Sequence, residues 1–105
     1  MVLAVDVGNS TTTIGLFDED GRPVFFSDIA TSCRKSTDEC AIDLLGVFQL
    51  YAADIQKVDG SIISCVVPPL EASITGAVAR LTGRSPMVVG PGIRTGLNIR
   101  SDLHN

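Results

Sequence analysis

Residues 2–13 read VLAVDVGNSTTT, an apolar run that is interrupted only by Asp6 and is followed by a glycine turn and three threonines. An apolar run of this kind predicts a central β-strand that is buried on both faces. Gly8 and Asn9 tolerate positive φ, so they predict a turn that leads into a second strand from about Thr12 to Phe17. The start of the chain is therefore predicted to form an antiparallel hairpin.

The rest of the chain alternates between strand and helix patterns. Turn residues DEDG at 18–21 precede a third predicted strand at about 23–29, and Ser36 and Glu39 have the spacing of a capping box, which predicts a helix start. The apolar stripe of that helix is predicted to comprise Ala41, Leu44, Leu45, Phe48, Ala52 and Ile55. A strand at 61–67, a helix from Pro68 to Gly83 and a short strand at 87–89 complete the pattern. The order β-β-β-α-β-α-β predicts an α/β fold with an antiparallel meander and parallel crossover strands.

Composition and charge exclude several classes of protein. The 105 residues are 45% hydrophobic and 19% charged, which is the opposite of a disordered chain and indicates one folded domain. Twelve acidic against eight basic residues give a net charge of −4, which argues against a nucleic-acid partner and against an anionic membrane surface. The chain shows neither a signal peptide nor an apolar run of the roughly 18 residues that a membrane span needs. The cysteines Cys33, Cys40 and Cys65 fit no disulfide or zinc pattern, so a cytoplasmic protein with reduced thiols is expected.

The first candidate site is the predicted hairpin. An acidic residue inside an apolar strand is unfavourable unless a cation or hydrogen-bond donors compensate it. Backbone N–H groups and hydroxyls in the turn can donate to phosphate oxygens, and a carboxylate at the strand end can hold hydrated Mg²⁺. The alternative is a plain β-hairpin with a polar turn. The candidate phosphate-binding residues are Asp6, Val7, Gly8, Asn9, Ser10, Thr11, Thr12 and Thr13, with Asp6 as the metal ligand.

Two later segments could also contact a ligand. Residues 90–97, GPGIRTGL, form a glycine-rich loop in which Arg94 could pair with a carboxylate or phosphate, the alternative being an ordinary linker. Residues 64–69, SCVVPP, lead from a strand into a helix, a junction at which α/β folds place ligands, although Cys65 itself is interpreted as structural. His104 is interpreted as a solvated surface residue. The acidic residues Asp38, Glu39 and Asp43 are expected only to favour the dipole of the first helix.

The stretches DVGNSTTTIGLFD, ISCVVPPL and VGPGIRTGL, in this order, resemble the type III pantothenate kinases, and the resemblance covers the chain from Met1 to about Ile99. It implies a ribonuclease-H-like domain of the sugar kinase, Hsp70 and actin superfamily, in which two domains clasp ATP. It also implies transfer of the ATP γ-phosphate to pantothenate in coenzyme A biosynthesis, with Mg²⁺, a monovalent cation (K⁺ or NH₄⁺) and a homodimer.

The resemblance also implies roles for individual residues. Asp6 would hold the metal, and Gly8, Asn9, Ser10 and Thr12 match the family's first phosphate motif. The residues that match the loop beside the pantothenate pocket are Gly92, Arg94, Thr95 and Gly96. Arg94 stands where Lys is commoner, and Ser101 lies near the place where many members have an aromatic residue lining the substrate site.

The family's catalytic base is the Asp of a Gly-Ala-Asp-Arg motif, which is expected beyond Asn105; Asp102 has neighbours that do not fit this motif. Residues 1–105 are therefore expected to be the N-terminal domain without its C-terminal partner, to lack kinase activity alone and to bind ATP weakly. The alternative is a non-catalytic nucleotide- or phosphate-binding regulatory protein of the same family, and a small α/β domain with a polar hairpin is a third interpretation.

Overall fold

The computed structural model describes residues 1–89, which form one mixed five-stranded sheet, two α-helices and one short 3₁₀ helix. The elements are β1 (Val2–Val7), β2 (Thr11–Phe17), β3 (Pro23–Ala30), α1 (Thr37–Leu50), β4 (Gly60–Cys65), α2 (Pro68–Thr82) and β5 (Met87–Val89). The strand order is β3-β2-β1-β4-β5, with antiparallel β1–β2 and β2–β3 pairs and parallel β1–β4 and β4–β5 pairs. The predicted α/β fold, with its meander and crossover strands, is confirmed.

The two faces of the sheet differ because side chains alternate along each strand. Val5 and Val7 of β1 and Ile14 of β2 lie on the face that shares one hydrophobic core with α1 and α2. The opposite face of β1 carries Val2, Ala4 and Asp6. Asp6 is half-buried and Val2 is exposed, so the predicted burial of this strand on both faces is only partly correct.

Helix α1 begins at the predicted capping box. The Ser36 hydroxyl accepts from the Glu39 backbone N–H at 3.1 Å, and the Glu39 carboxylate accepts from the Ser36 N–H at 3.0 Å. The Ser36 backbone N–H, followed by its hydroxyl, holds the pKa of Glu39 below its ordinary value. The cap fixes the point at which the chain leaves the β3 end and crosses the sheet.

The C-terminal end of α1 differs from the prediction. The helix ends at Leu50, Ala52 has a φ of 54°, and the Ala53 N–H donates to the Phe48 carbonyl. Ile55 is buried, but in a separate 3₁₀ helix, Ile55–Lys57. Leu45 is also misplaced by the prediction, because its side chain is 45% exposed. An alanine in the left-handed region gives no glycine signal, so the sequence pattern does not mark the end of the helix.

The second half of the chain follows the predicted pattern closely. Strand β4 starts and ends slightly earlier than predicted, at Gly60 and Cys65. Helix α2 begins at Pro68 and is capped by Gly83, whose φ is 74°. Its buried residues are Leu70, Ile74, Ala77 and Val78, and Leu81 packs against the core while half-buried.

The acidic residues of α1 do more than was predicted. Asp38 forms an ion pair with Arg80 of α2 at 2.5 Å, and Asp43 pairs with Lys35 in the preceding loop. The hydrogen bond with Asp43 raises the pKa of Lys35 above its ordinary value. These contacts tie α1 to α2 and to the β3–α1 loop.

In the part of the chain that the structure describes, no helix combines the length and apolar character needed to cross a membrane.

Candidate functional site

The turn between β1 and β2 is closed by a backbone hydrogen bond. The Gly8 N–H donates to the Thr11 carbonyl at 2.9 Å, and a Cβ at position 8 would lie 3.0 Å from that oxygen. A side chain at this position would therefore press against the turn's own backbone, which explains the glycine. Asn9, Ser10 and Thr11 are exposed at the tip, so a ligand can approach their main chain and side chains.

Thr12 lies on the helix-facing side of β2 and is buried. Its hydroxyl is 2.8 Å from the hydroxyl of Thr31, and the Thr31 N–H donates to the Ser10 carbonyl at 3.0 Å. The loop that follows β3 is thereby bonded to the turn at two points. Thr12 thus supports the turn from behind, and the structure does not bring its hydroxyl to the sheet face that carries Asp6. Val7 is likewise buried in the core.

Asp6 belongs to a row of polar residues on the other face of the sheet. In the strand register Asp6 is opposite Thr13 of β2 and Ser64 of β4, and Thr13 is opposite Asp28 of β3. Paired positions of neighbouring strands place their side chains on the same face. Asp28, Thr13, Asp6 and Ser64 therefore form one line across four strands, which we call the polar row. The Thr13 hydroxyl donates to the Asp28 carboxylate at 2.9 Å.

The polar row contains residues that the sequence interpretation did not assign to the site. Asp28 carries no local sequence signal, and the sequence places Ser64 only in the strand-to-helix junction. Thr31, which lies outside the polar row and supports the turn, has no local signal either. Strand alternation together with the β1–β4 register brings Ser64 beside Asp6. That register depends on a crossover helix and is not encoded locally.

The residues beside the turn suit a hydrated magnesium ion. Residues 1–89 contain no group of three or more His, Cys, Asp or Glu side chains that could hold a metal. Mg²⁺ keeps several waters and is commonly held by one or two carboxylates together with substrate phosphates. Asp6 supplies one carboxylate at the end of a central strand, next to an exposed turn.

A cavity of about 30 Å³ lies behind the turn. Val7, Thr12, Ile29, Leu44 and Ile74 are among its lining residues, and the lining is mainly apolar. This volume is close to that of one water molecule, so the cavity is too small to enclose a nucleotide.

Cys65 has the structural role that was predicted for it. Its side chain is buried and its thiol donates to the Val67 carbonyl at 3.1 Å. Burial raises the pKa of this thiol, and it raises that of Cys40 as well. Cys33 is exposed, and all three are free thiols. A buried thiol with a raised pKa is a poor nucleophile and a poor metal ligand.

The second predicted site lies outside the described residues. The glycine-rich loop at 90–97 and its candidate pantothenate contacts Gly92, Arg94, Thr95 and Gly96 belong to this part of the chain, as do Ser101 and His104. Their roles stay predictions.

Solved structures share the fold of this chain at low sequence identity. A ROK hexokinase from Thermus thermophilus superposes with a TM-score of 0.60 and 13% identity over 85% of this chain and 34% of the hexokinase. RuvC from T. thermophilus, solved in complex with a Holliday junction substrate, superposes with a TM-score of 0.57 and 16% sequence identity. The match covers 95% of this chain and 71% of the RuvC chain. These likenesses establish a ribonuclease-H-like fold of the kind found in actin-like ATPases.

The sequence comparisons are more specific. The family model described as type III pantothenate kinase matches residues 2–104. Type III pantothenate kinases from Halalkalibacterium halodurans and Syntrophobacter fumaroxidans are 39% and 40% identical over 102 residues, or 97% of this chain. The chain spans about 40% of the length of these curated relatives. With a match that covers nearly all of its residues, the chain belongs to the type III pantothenate kinase family.

Proposed function

We propose that this chain provides the phosphate- and magnesium-binding part of an enzyme that transfers the γ-phosphate of ATP to pantothenate in coenzyme A biosynthesis. Membership of the family supports the reaction class. The observation that carries the assignment is the position of Asp6, which is the penultimate residue of the central strand and lies two residues before Gly8 of the turn with the exposed tip. The chain would form an N-terminal ribonuclease-H-like domain, residues 1–105, that opposes a second domain across the nucleotide.

The turn would bind phosphate oxygens through the backbone and hydroxyl groups of Asn9, Ser10 and Thr11. Thr12 would act indirectly, because its hydroxyl is bonded to Thr31 and fixes the base of the turn. Asp6 would hold a hydrated Mg²⁺ beside the phosphates. When bound, the ion neutralises charge that develops on the transferred group. Since phosphoryl transfer depends mainly on positioning and charge stabilisation, a rigid turn beside a fixed carboxylate is what this half can contribute.

The remaining features of the proposal rest on the family resemblance. Gly92, Arg94, Thr95 and Gly96 would border the pantothenate pocket with Ser101 nearby, and Arg94 could pair there with a carboxylate or a phosphate. A monovalent cation, K⁺ or NH₄⁺, a homodimer and a cytoplasmic location belong to the same proposal. The base that accepts the hydroxyl proton of pantothenate would come from outside these residues.

A chimaeric enzyme tests this proposal. The matched segment of the H. halodurans relative is replaced by the matched segment of this chain, and phosphopantothenate formation from ATP and pantothenate is measured. We expect turnover, and we expect Asp6→Asn in the chimaera to lower kcat/KM by about 100-fold or more, since charge stabilisation at the phosphates is lost. Glu19→Gln, an exposed carboxylate in the turn before β3, is the matched control and should leave kcat/KM unchanged.

Turnover that persists at the wild-type rate in the Asp6→Asn chimaera would contradict the role of Asp6. A chimaera that folds and binds Mg·ATP without turnover would instead favour the non-catalytic, nucleotide-binding alternative.

A further inference from the structure

Ser64 of β4 is a buried polar residue that lacks a hydrogen-bond partner. Its side chain is only 3% exposed, and no group in the described part of the chain bonds its hydroxyl. Most buried hydroxyls in native proteins are hydrogen-bonded, because leaving one unbonded loses the interaction it had with water. An unpartnered hydroxyl at this depth has a proton available for a nearby acceptor.

The position of Ser64 in the sheet indicates which acceptor lies beside it. Ser64 is paired in register with Asp6, so the two side chains are neighbours on the same face of adjacent parallel strands. Thr13 flanks Asp6 on the other side, but its hydroxyl proton is donated to Asp28. Of the two hydroxyls that flank Asp6, Ser64 is therefore the one without a described acceptor.

A second buried hydroxyl provides a comparison. Within residues 1–89, Thr75 is the other residue whose buried hydroxyl has no hydrogen-bond partner. Thr75 lies in α2 and is not part of the polar row. Both hydroxyls lack a partner, but only Ser64 is paired in register with Asp6. Thr75 is therefore a matched control.

We propose that Ser64 is a positioning residue for Asp6. When Asp6 holds a hydrated divalent cation, the Ser64 hydroxyl donates a hydrogen bond to the Asp6 carboxylate oxygen that does not face the cation. This inference rests on the proposed function, which assigns the cation to Asp6. A carboxylate that binds a metal is usually held by such a donor, and removal of the donor typically lowers metal affinity by about 10- to 100-fold.

The test uses the 105-residue chain and measures binding, not turnover. The amide resonances of Gly8 and Thr13 are followed by NMR during titration with Mg·ATP, and separately with ATP in the presence of EDTA. We expect Ser64→Ala to weaken Mg·ATP binding roughly tenfold and to leave the affinity for metal-free ATP unchanged. Thr75→Val should change neither affinity. The melting temperature of ligand-free Ser64→Ala should not fall, because the hydroxyl that is removed had no partner.

A double-mutant cycle identifies the residue through which Ser64 acts. With Asp6→Asn as background, the further change Ser64→Ala should have no additional effect on Mg·ATP affinity. Equal Mg·ATP affinity for wild type and Ser64→Ala would overturn the role of Ser64 and leave the proposed function intact. An equal loss with and without Mg²⁺ would also overturn it, since the hairpin would then be distorted. A wild-type chain whose ATP affinity at the turn does not depend on Mg²⁺ would refute the cation assignment itself, and the inference with it.

Discussion

Two residues, Gly8 and Thr31, set the shape of the turn between β1 and β2. Gly8 allows the turn to close on the Thr11 carbonyl, and Thr31 bonds both the Ser10 backbone and the Thr12 side chain. Neither Gly8 nor Thr31 needs a catalytic role to matter for the site. Their contribution is the shape of the exposed turn that Asn9 and its neighbours present to a ligand.

The capping residue Glu39 makes the stability of the chain dependent on pH. Its pKa is lowered from about 4.5 by the Ser36 N–H, so the contact stabilises the fold above the unfolded-state pKa and is lost as the pH falls through the lower, folded-state value. Glu39→Gln cannot ionise. We therefore expect the difference in unfolding free energy between wild type and Glu39→Gln to shrink on going from pH 7 to pH 3, measured by urea denaturation. A difference that stays constant across this range would contradict the assignment.

At the level of elements, two helical glycines with different surroundings give opposite expectations. Gly46 of α1 is exposed, and nothing lies within 4 Å of a Cβ placed on it, whereas a Cβ on Gly76 of α2 would lie 3.2 Å from the Thr37 methyl. Alanine is the better helix former, so Gly46→Ala should raise the unfolding free energy by about 0.5–1 kcal/mol. Gly76→Ala should raise the unfolding free energy by less than Gly46→Ala does, or should lower it, because α1 and α2 approach closely at Gly76.

Urea denaturation of both variants measures the difference directly. The matched pair carries the same chemical change in the same kind of element, so propensity cancels in the comparison and the helix–helix contact remains. Equal stabilisation by both substitutions would contradict this expectation, because it would show that the Thr37 side chain can move away from the added methyl group at no cost in free energy.

The elements also show where sequence patterns are sufficient. The hairpin, the capping box at Ser36, the proline start of α2 and its glycine cap were all predictable, because each depends on residues within a few positions of one another. The end of α1 was not, since Ala52 adopts the left-handed conformation without being glycine and Ile55 continues the apolar spacing in a different helix. Residue propensities do not predict the backbone conformation at positions where the rest of the fold overrides them.

The candidate site follows the same division. Asp6 and the exposed turn were recognisable because they are contiguous in sequence. Ser64 and Asp28 join Asp6 only through strand pairing, one by way of a crossover and the other across β2. The positions of Ser64 and Asp28 beside the site depend on the pairing register of the strands, which cannot be predicted from a single sequence.

At the scale of the whole molecule, the two faces of the sheet differ in what they contact. One face packs against both helices and forms the core, while the other carries the polar row. Strand β1 contributes to both, with Val5 and Val7 on the first face and Asp6 on the second. The carboxylate proposed to hold the cation is therefore anchored by the same strand that anchors the core, which limits how far it can move.

The central place of β1 also has a consequence for the order of folding. Val5 pairs with Ile14, which is near in sequence, and with Ile63, which is far from it. Loop closure makes the distant pairing slower, so the meander should form before β4 docks. During synthesis, β1 would present an unpaired edge until β4 has left the ribosome, and such edges invite association with other chains. Pulsed hydrogen exchange during refolding should show protection of the β2 amides before those of β4; simultaneous protection would contradict this order.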